Sequence, residues 1–318
     1  MRVLVVTNLF PTARRPALGP FVRDQVEAMR AIGGAEIELH SFDPPGGIRP
    51  YVREGLTLGR KYRGQRFDVV HAHYGLSGAC SLAVRRGCHI TTFHGDDLRL
   101  PKTAPIARLV TRLIDLPATV SANLARTTER VLGRPGTDRR VAVLPCGIDL
   151  DRLRPLDRRD ARSQLGLDPN GRYLLFPADP TRPEKRHDRA RELATAAGAE
   201  LIHYDNTPPE RVPLFINAAN AVIVTSEREG FGLAPLEALA CDVPVLATDV
   251  GIAPLALAGI EGTLCEPFDR DRWQAALAPH LAADDARVVG RGRAELFGSR
   301  RMAERVLLAY RELASRDE

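Results

Sequence analysis

The chain breaks into short, strand-length apolar runs separated by segments in which apolar residues recur every three to four positions. The first series is Val3 to Thr7, Glu36 to Ser41, Asp68 to His71, His89 to Phe93, Ala118 to Ser121 and Val141 to Leu144. A second follows at Tyr173 to Ala178, Glu200 to Tyr204, Ala221 to Thr225, Val243 to Thr248 and Gly262 to Glu266. Apolar strands alternating with helix-length gaps predict parallel sheets buried on both faces, because each crossover helix covers one of them. Two such series in tandem predict an α/β chain of two Rossmann-like, doubly wound domains. Among the helices, Pro20 opens one whose core stripe is Val22, Val26 and Met29. Leu156 to Asp168 reads as a linker and the first helix of the second domain, and Pro213 to Ala219 as a short amphipathic helix. Ser299 is placed to cap a last helix with Met302, Val306, Tyr310 and Leu313 on one face.

The length of 318 residues suits two domains of this kind. Forty-five basic against 40 acidic residues give a net charge of +5, an excess suited to an anionic partner such as a nucleotide or a membrane surface. No basic run is interleaved with aromatics as base-stacking surfaces require, so nucleic acid is not an expected partner. The five cysteines, Cys80, Cys88, Cys146, Cys241 and Cys265, are scattered and form no C-x-x-C pair, which argues against a disulfide framework and a zinc site. His71 and His73 flank one residue but have no third ligand beside them in sequence, and are read as structural. No apolar run approaches the roughly 18 residues of a membrane span, and the N-terminal run is too short for a signal segment. The expected location is the cytoplasm, with peripheral contact at the inner face of an anionic membrane as an added option.

The chemistry concentrates in Ala221 to Asp249, AVIVTSEREGFGLAPLEALACDVPVLATD. A buried strand ends in a loop carrying Glu229 and two glycines, a helix carrying Glu237 follows, and a second strand closes the unit. The backbone N–H groups of Gly230, Phe231, Gly232 and Leu233 fall at the helix N-terminus, where they and the helix dipole attract a phosphate or a polar sugar. An E-x7-E spacing alone is what two solvated glutamates would give; its setting says more. The succession of strand, S-E-R-E-G-F-G-L, L-E-A-L-A and V-P-V-L-A-T-D closely resembles the donor-site motif of the retaining glycosyltransferases of family four (group 1), which have the two-domain GT-B architecture.

The resemblance implies an acceptor-side domain over residues 1–155, a nucleotide-sugar donor domain over 156–298, and a closing helix, 299–318, packed back on the first. Val141 to Pro155 resembles the segment approaching the hinge. The implied activity is metal-independent transfer of a sugar, by front-face displacement with retention, from a nucleotide diphosphate sugar to a hydroxyl of a glycan, lipid-linked or small-molecule acceptor. No cofactor is implied. Glu229 would hold sugar hydroxyls, and Glu237 would accept from the ribose. Arg182 would neutralise the departing diphosphate together with Lys185 or its neighbour Arg186. His94 in T-T-F-H-G-D-D would contact the transferred sugar, with Asp96 and Asp97 as secondary candidates for acceptor contacts. Gly19 matches the glycine that approaches the donor diphosphate.

The chain departs from the family pattern at Cys146, at Asn220 where aspartate is common, and at Gly251-Ile252 and Leu255 in place of Gly-Gly and a glutamate. Two other readings therefore stand beside transfer: a sugar-nucleotide epimerase of the same architecture, and a catalytically silent nucleotide-sugar-binding protein. A nicotinamide-dependent oxidoreductase lacks its glycine fingerprint here. The base, sugar and acceptor are read by backbone and pocket shape, which no portable motif encodes. If Glu237 accepts from ribose hydroxyls, Glu237→Ala should weaken nucleotide binding by about 1.5–3 kcal/mol, the worth of a hydrogen bond to a charged group. Calorimetry checks this, and an unchanged Kd would return Glu237 to the helix surface.

Overall fold

The computed structural model describes residues 1–43, 47–132, 141–204 and 206–315. The chain divides into two compact units, one of Met1–Pro11, Leu18–Gly147 and Ser299–Glu318, the other of Thr12–Ala17 and Ile148–Gly298. The main crossing, at Gly147 to Ile148, falls inside the segment read as the hinge approach.

The first unit holds strands β1 (Arg2–Thr7), β2 (Glu36–Ser41), β3 (Phe67–His73), β4 (Arg86–Phe93), β5 (Leu116–Thr119) and β6 (Ala142–Val143). Its helices are α1 (Pro20–Ile32), α2 (Arg49–Lys61), α3 (Gly75–Ser81), α4 (Asp96–Arg99), α5 (Ala104–Leu113), α6 (Ala122–Leu132) and, last in the chain, α14 (Ser299–Ala314). All six strands are parallel, in the order β2-β1-β3-β4-β5-β6. The stripe Val22, Val26 and Met29 of α1 meets Met302, Val306, Tyr310 and Leu313 of α14 over Val3, Val5, Val69 and Ile90 of the sheet. Two amphipathic faces far apart in sequence thus share one core. Residues 316–318 of the closing segment lie outside the described residues.

The second unit holds β7 (Tyr173–Phe176), β8 (Glu200–His203), β9 (Ala221–Val224), β10 (Val245–Ala247) and β11 (Leu264–Cys265). Its helices are α7 (Arg158–Leu165), α8 (His187–Ala197), α9 (Val212–Ala218), α10 (Ala234–Ala240), α11 (Ala253–Leu257), α12 (Arg270–Ala282) and α13 (Arg291–Glu295). These five strands are also parallel, in the order β11-β10-β9-β7-β8. Trp273 and Leu277 of α12 and Leu193 of α8 pack on Leu174, Phe176, Ile223 and Leu246. In each unit the chain reverses its direction of strand addition once, between β1 and β3 and between β7 and β9. The carboxyl edge at such a reversal is where open α/β sheets leave a crevice for ligands. Among the described residues no helix is long and apolar enough to cross a membrane.

Two differences from the sequence-based expectations, and the departure noted at Asn220, have physical causes. β3 continues past His71, because His71 and His73 both pair with β1 and β4, opposite Val5 and Thr7 on one side and Ile90 and Thr92 on the other. Ser299 does not cap its helix: it is the first helical residue, and its buried Oγ has no hydrogen-bond partner. Asn220 uses both ends of its amide, accepting from the Tyr173 N–H at 2.9 Å and Arg162 Nη2 at 3.0 Å while donating to the His280 carbonyl at 3.2 Å. An aspartate could not donate that last bond, which accounts for the asparagine here.

Candidate active site

β7 and β9 lie side by side and parallel, so the loops leaving their carboxyl ends meet although they are far apart in sequence. The loop after β7 carries Arg182, Lys185 and Arg186; the loop after β9 carries Ser226 and Glu229. A backbone bond ties them, from Glu227 N to the Glu184 carbonyl at 2.9 Å. Thr225 Oγ1 adds bonds to the carbonyls of Lys185 and Arg186, at 3.0 and 2.9 Å.

On this frame Lys185 Nζ donates to both Glu229 oxygens, at 2.6 and 2.7 Å, and Ser226 Oγ donates to Oε1 at 2.8 Å. The lysine and glutamate side chains are 13% and 12% exposed. This pair is therefore screened much less than a surface ion pair, and its geometry is set by charge-assisted bonds. The neighbouring arginines differ in their partners. Arg186 has a left-handed φ of 54° at the start of α8, and its guanidinium is held by Asp188 at 2.7 Å and Glu227 at 2.5 Å. Arg182 is 47% exposed and bonds Glu184 from Nε at 2.8 Å. Of the two candidate cations, Lys185 is the one drawn to Glu229.

Glu237 lies in the first turn of α10, half-buried. Burial and, after it, the Glu237 carboxylate hold the Tyr204 phenol well above its ordinary pKa, so Tyr204 is un-ionised beside that carboxylate. The N–H groups of Phe231, Gly232 and Leu233 make no hydrogen bond among the described residues. Gly230 belongs to the same turn and is half-buried. Behind the turn, Gly251 has φ 58°, and a Cβ there would stand 2.2 Å from the Phe231 carbonyl oxygen and 2.8 Å from Glu229 Cβ. Only glycine fits, and Ile252 N then bonds that same carbonyl at 2.7 Å. Leu255 is 58% exposed.

In the first unit His94 follows β4, half-buried, with its ring 5.1 Å from Phe21. Its Nε2 meets His73 Nδ1 at 3.2 Å, and the His73 ring stacks at 4.5 Å on His71. His71 Nδ1 pairs with the Tyr310 hydroxyl at 2.6 Å and its Nε2 with Thr92 Oγ1 at 2.8 Å. Asp97, expected among the acceptor contacts, turns inward instead. It is fully buried and accepts from the backbone N–H groups of Gly75, His94 and Gly95, at 3.0, 3.2 and 2.9 Å, so it holds the loop in shape. Asp96 is the exposed member of that pair. Gly19 opens α1 with φ 63°, and a Cβ would lie 2.4 Å from the Leu9 carbonyl oxygen, so contact within its own loop already requires the glycine.

Sequence reasoning missed Ser226, Gly251 as a buttress, Tyr204 and His73. Ser226 stands three residues before Glu229, the one local signal that was available; the others depend on contacts across the sheet. Among the described residues no group of three His, Cys, Asp or Glu side chains converges as metal ligands would.

Two family models match most of the chain: "Glycosyltransferase Family 4" over residues 3–152 and "Glycosyl transferases group 1" over residues 179–289. The chain is 29% identical to a D-inositol 3-phosphate glycosyltransferase of Frankia alni, covering 98% of this chain and 88% of the relative. It is 30% identical to the enzyme of that name from Geodermatophilus obscurus, over 77% of this chain and 66% of the relative. In fold it is similar to a sucrose-phosphate synthase from Thermosynechococcus elongatus, with TM-score 0.74, 19% identity and 99% of each chain covered. It is also similar to Anabaena HepE in complex with UDP and glucose, with TM-score 0.69, 15% identity, and 98% of this chain and 100% of the other covered.

The histidines of the first unit predict an acid-sensitive fold. Burial above all holds His71 down to about 3, His94 to about 4, His89 to about 3 and His73 well below the ordinary value. Unfolded, each takes up its proton near the ordinary 6.5. Below about pH 6.5 the unfolded chain therefore binds protons that the folded chain refuses, and stability is lost as pH falls toward 4. Asp97 acts the other way, because burial raises it to about 6 and the folded state gains a proton there, but it is one group against four. The urea midpoint should fall steadily from pH 7 to pH 5; a flat or rising midpoint would contradict the assignment of neutral, buried imidazoles.

Proposed function

Because the chain belongs to the group 1, family four glycosyltransferases and has their GT-B fold, we propose that it is a retaining, metal-independent glycosyltransferase using a nucleotide diphosphate sugar. The observation that carries this reading is the Lys185–Glu229–Ser226 constellation at the carboxyl edge of β7 and β9, beside the turn in which the N–H groups of Phe231, Gly232 and Leu233 make no hydrogen bond among the described residues. A diphosphate brought to this edge meets two cations, Arg182 and Lys185, and backbone donors. Such preorganised groups stabilise charge as it grows on the leaving phosphate.

In the proposed reaction the bond between the anomeric carbon and the phosphate oxygen breaks as the acceptor oxygen attacks from the same face, and the acceptor proton passes to the leaving phosphate. Glu229, fixed by Ser226, holds sugar hydroxyls and balances positive charge at the anomeric carbon. Glu237 binds the ribose, and His94 contacts the transferred sugar. On the acceptor side, the names of the relatives make D-inositol 3-phosphate the first compound to try, and the HepE complex makes UDP-sugars the first donors.

Peripheral contact with an anionic membrane is supported by one face of α2, where Arg49, Val52, Arg53, Leu56 and Arg60 are all exposed, Val52 at 63% and Leu56 at 57%. Apolar residues among cations on one helix face suit the boundary between headgroups and acyl chains. Co-sedimentation with phosphatidylserine vesicles should be lost in a Val52→Glu, Leu56→Glu variant and should weaken with salt; no sedimentation of the unaltered chain would remove this partner.

The function is tested with UDP-, GDP-, ADP- and dTDP-sugars against D-inositol 3-phosphate and lipid-linked acceptors, with and without EDTA. Transfer with retained anomeric configuration, insensitive to EDTA, is expected. An inverted product, or turnover that needs added magnesium or manganese, would overturn the mechanism, and free nucleotide formed without acceptor would favour the epimerase. Lys185→Ala should then lower kcat by about 10²–10³-fold, more than it raises KM, because its contact strengthens as charge develops. Arg182→Ala should act in the same sense, and Arg186→Ala, whose side chain is already spent on Asp188 and Glu227, should act least.

A further inference from the structure

The three imidazoles of the first unit form a column: His71 and His73 with ring centres 4.5 Å apart, then His73 and His94 at 5.5 Å. The two ends are anchored differently. His71 has both ring nitrogens bonded, whereas His73 is 2% exposed and bonds through Nδ1 alone, leaving Nε2 buried without a partner. At the outer end His94 uses Nε2 on His73. Its Nδ1 has no bond among the described residues and is not one of the buried unpartnered atoms, so that edge of the ring reaches solvent.

We propose that His73 is a positioning residue that fixes the tautomer of His94, so that the open edge of His94 offers an N–H donor, at Nδ1, to an oxygen of the bound ligand. Both rings are neutral, so the contact between them has one proton and two arrangements. In the first, His73 Nδ1–H donates to His94 Nε2, the orphan atom on His73 is a lone pair, and His94 carries its proton on Nδ1. In the second, His94 Nε2–H donates, and His73 must bury an unpaired N–H. A buried, unpaired N–H is the rarer and costlier of these defects, so the first arrangement is preferred. The proton on one imidazole nitrogen is set by the bond that the other makes, and here it sits on the outward nitrogen. Asp97 holds the His94 backbone N–H at 3.2 Å and so keeps the ring aimed.

A neutral ring with an outward N–H binds an oxygen lone pair, as a sugar hydroxyl or a phosphate oxygen provides, without a pH-dependent charge. That part rests on the proposed glycosyltransferase reading; the tautomer does not.

The full chain, labelled with ¹⁵N-histidine and free of ligand at pH 7, tests the tautomer by two-bond ¹H–¹⁵N correlation, with His94→Gln identifying the His94 signals. The expected pattern has Nδ1 protonated and Nε2 unprotonated; a protonated Nε2 overturns the proposal, and this holds on the unaltered protein even if a variant fails to fold. His73→Asn, whose amide can keep a donor near the Nδ1 position, should preserve the pattern. His73→Leu should release His94 to the Nε2–H form that a free imidazole prefers, and an unchanged pattern in His73→Leu also overturns the assignment. With an active donor, KM should rise about fivefold in His73→Leu, the worth of one ordinary hydrogen bond, and stay near normal in His73→Asn. A chain without transferase activity would defeat the proposed function and leave the spectrum to decide the tautomer.

Discussion

Parallel pairing of β7 with β9 is the constraint on which the second unit depends. Two strands that run the same way deliver their following loops to the same edge, and that alone brings Lys185 to Glu229 across 44 residues of chain. An antiparallel neighbour would have sent one loop to the opposite end of the sheet. The interaction then tightens what the topology permits. A lysine and a glutamate sheltered from water hold each other firmly only because Ser226 and two backbone anchors have already fixed the loops.

The two units solve the problem of polar groups at a sheet edge in opposite ways. The second keeps charge at its edge, and most of those charges are matched: Arg186 with Asp188 and Glu227, Arg182 with Glu184, Lys185 with Glu229. The first removes charge, burying the imidazoles of His71, His73 and His89 so deeply that they stay neutral and satisfying the buried carboxylate of Asp97 with three backbone donors. The second edge thus offers charge, the first directional hydrogen bonding.

Much of this was legible in the sequence, for reasons that can be named. Runs such as Leu174 and Leu175 or Val222 and Ile223 are apolar on both faces because helices cover both, so the parallel sheets could be read directly. The stripes of α1 and α14 were equally plain, since helical periodicity is a local property. What was not legible depends on partners distant in the chain. The choice between Lys185 and Arg186 turns on a left-handed backbone at residue 186, which aims that side chain at Asp188 and Glu227. Asp97 looked like a ligand-facing carboxylate because nothing nearby in sequence announced the Gly75 N–H it serves. His73 was read, with His71, as structural, but its contact with His94 could not be foreseen, because that histidine follows the neighbouring strand 21 residues on. Ser299 had the right residue type for a cap but begins the helix itself.

The position of α14 has a consequence for the order in which the protein can be made. The first unit takes its sheet and α1 from the start of the chain, yet Met302, Val306 and Tyr310 complete its core from beyond the whole second unit. On the ribosome, the stripe of α1 and the buried His71 must wait uncovered while residues 148–298 are synthesised and their own continuous core closes. The second unit can therefore finish first, against the usual amino-to-carboxyl order of domain folding. A nascent chain of this protein carries an exposed apolar seam for roughly ten seconds or more at ordinary translation speeds, a natural place for a chaperone to hold it.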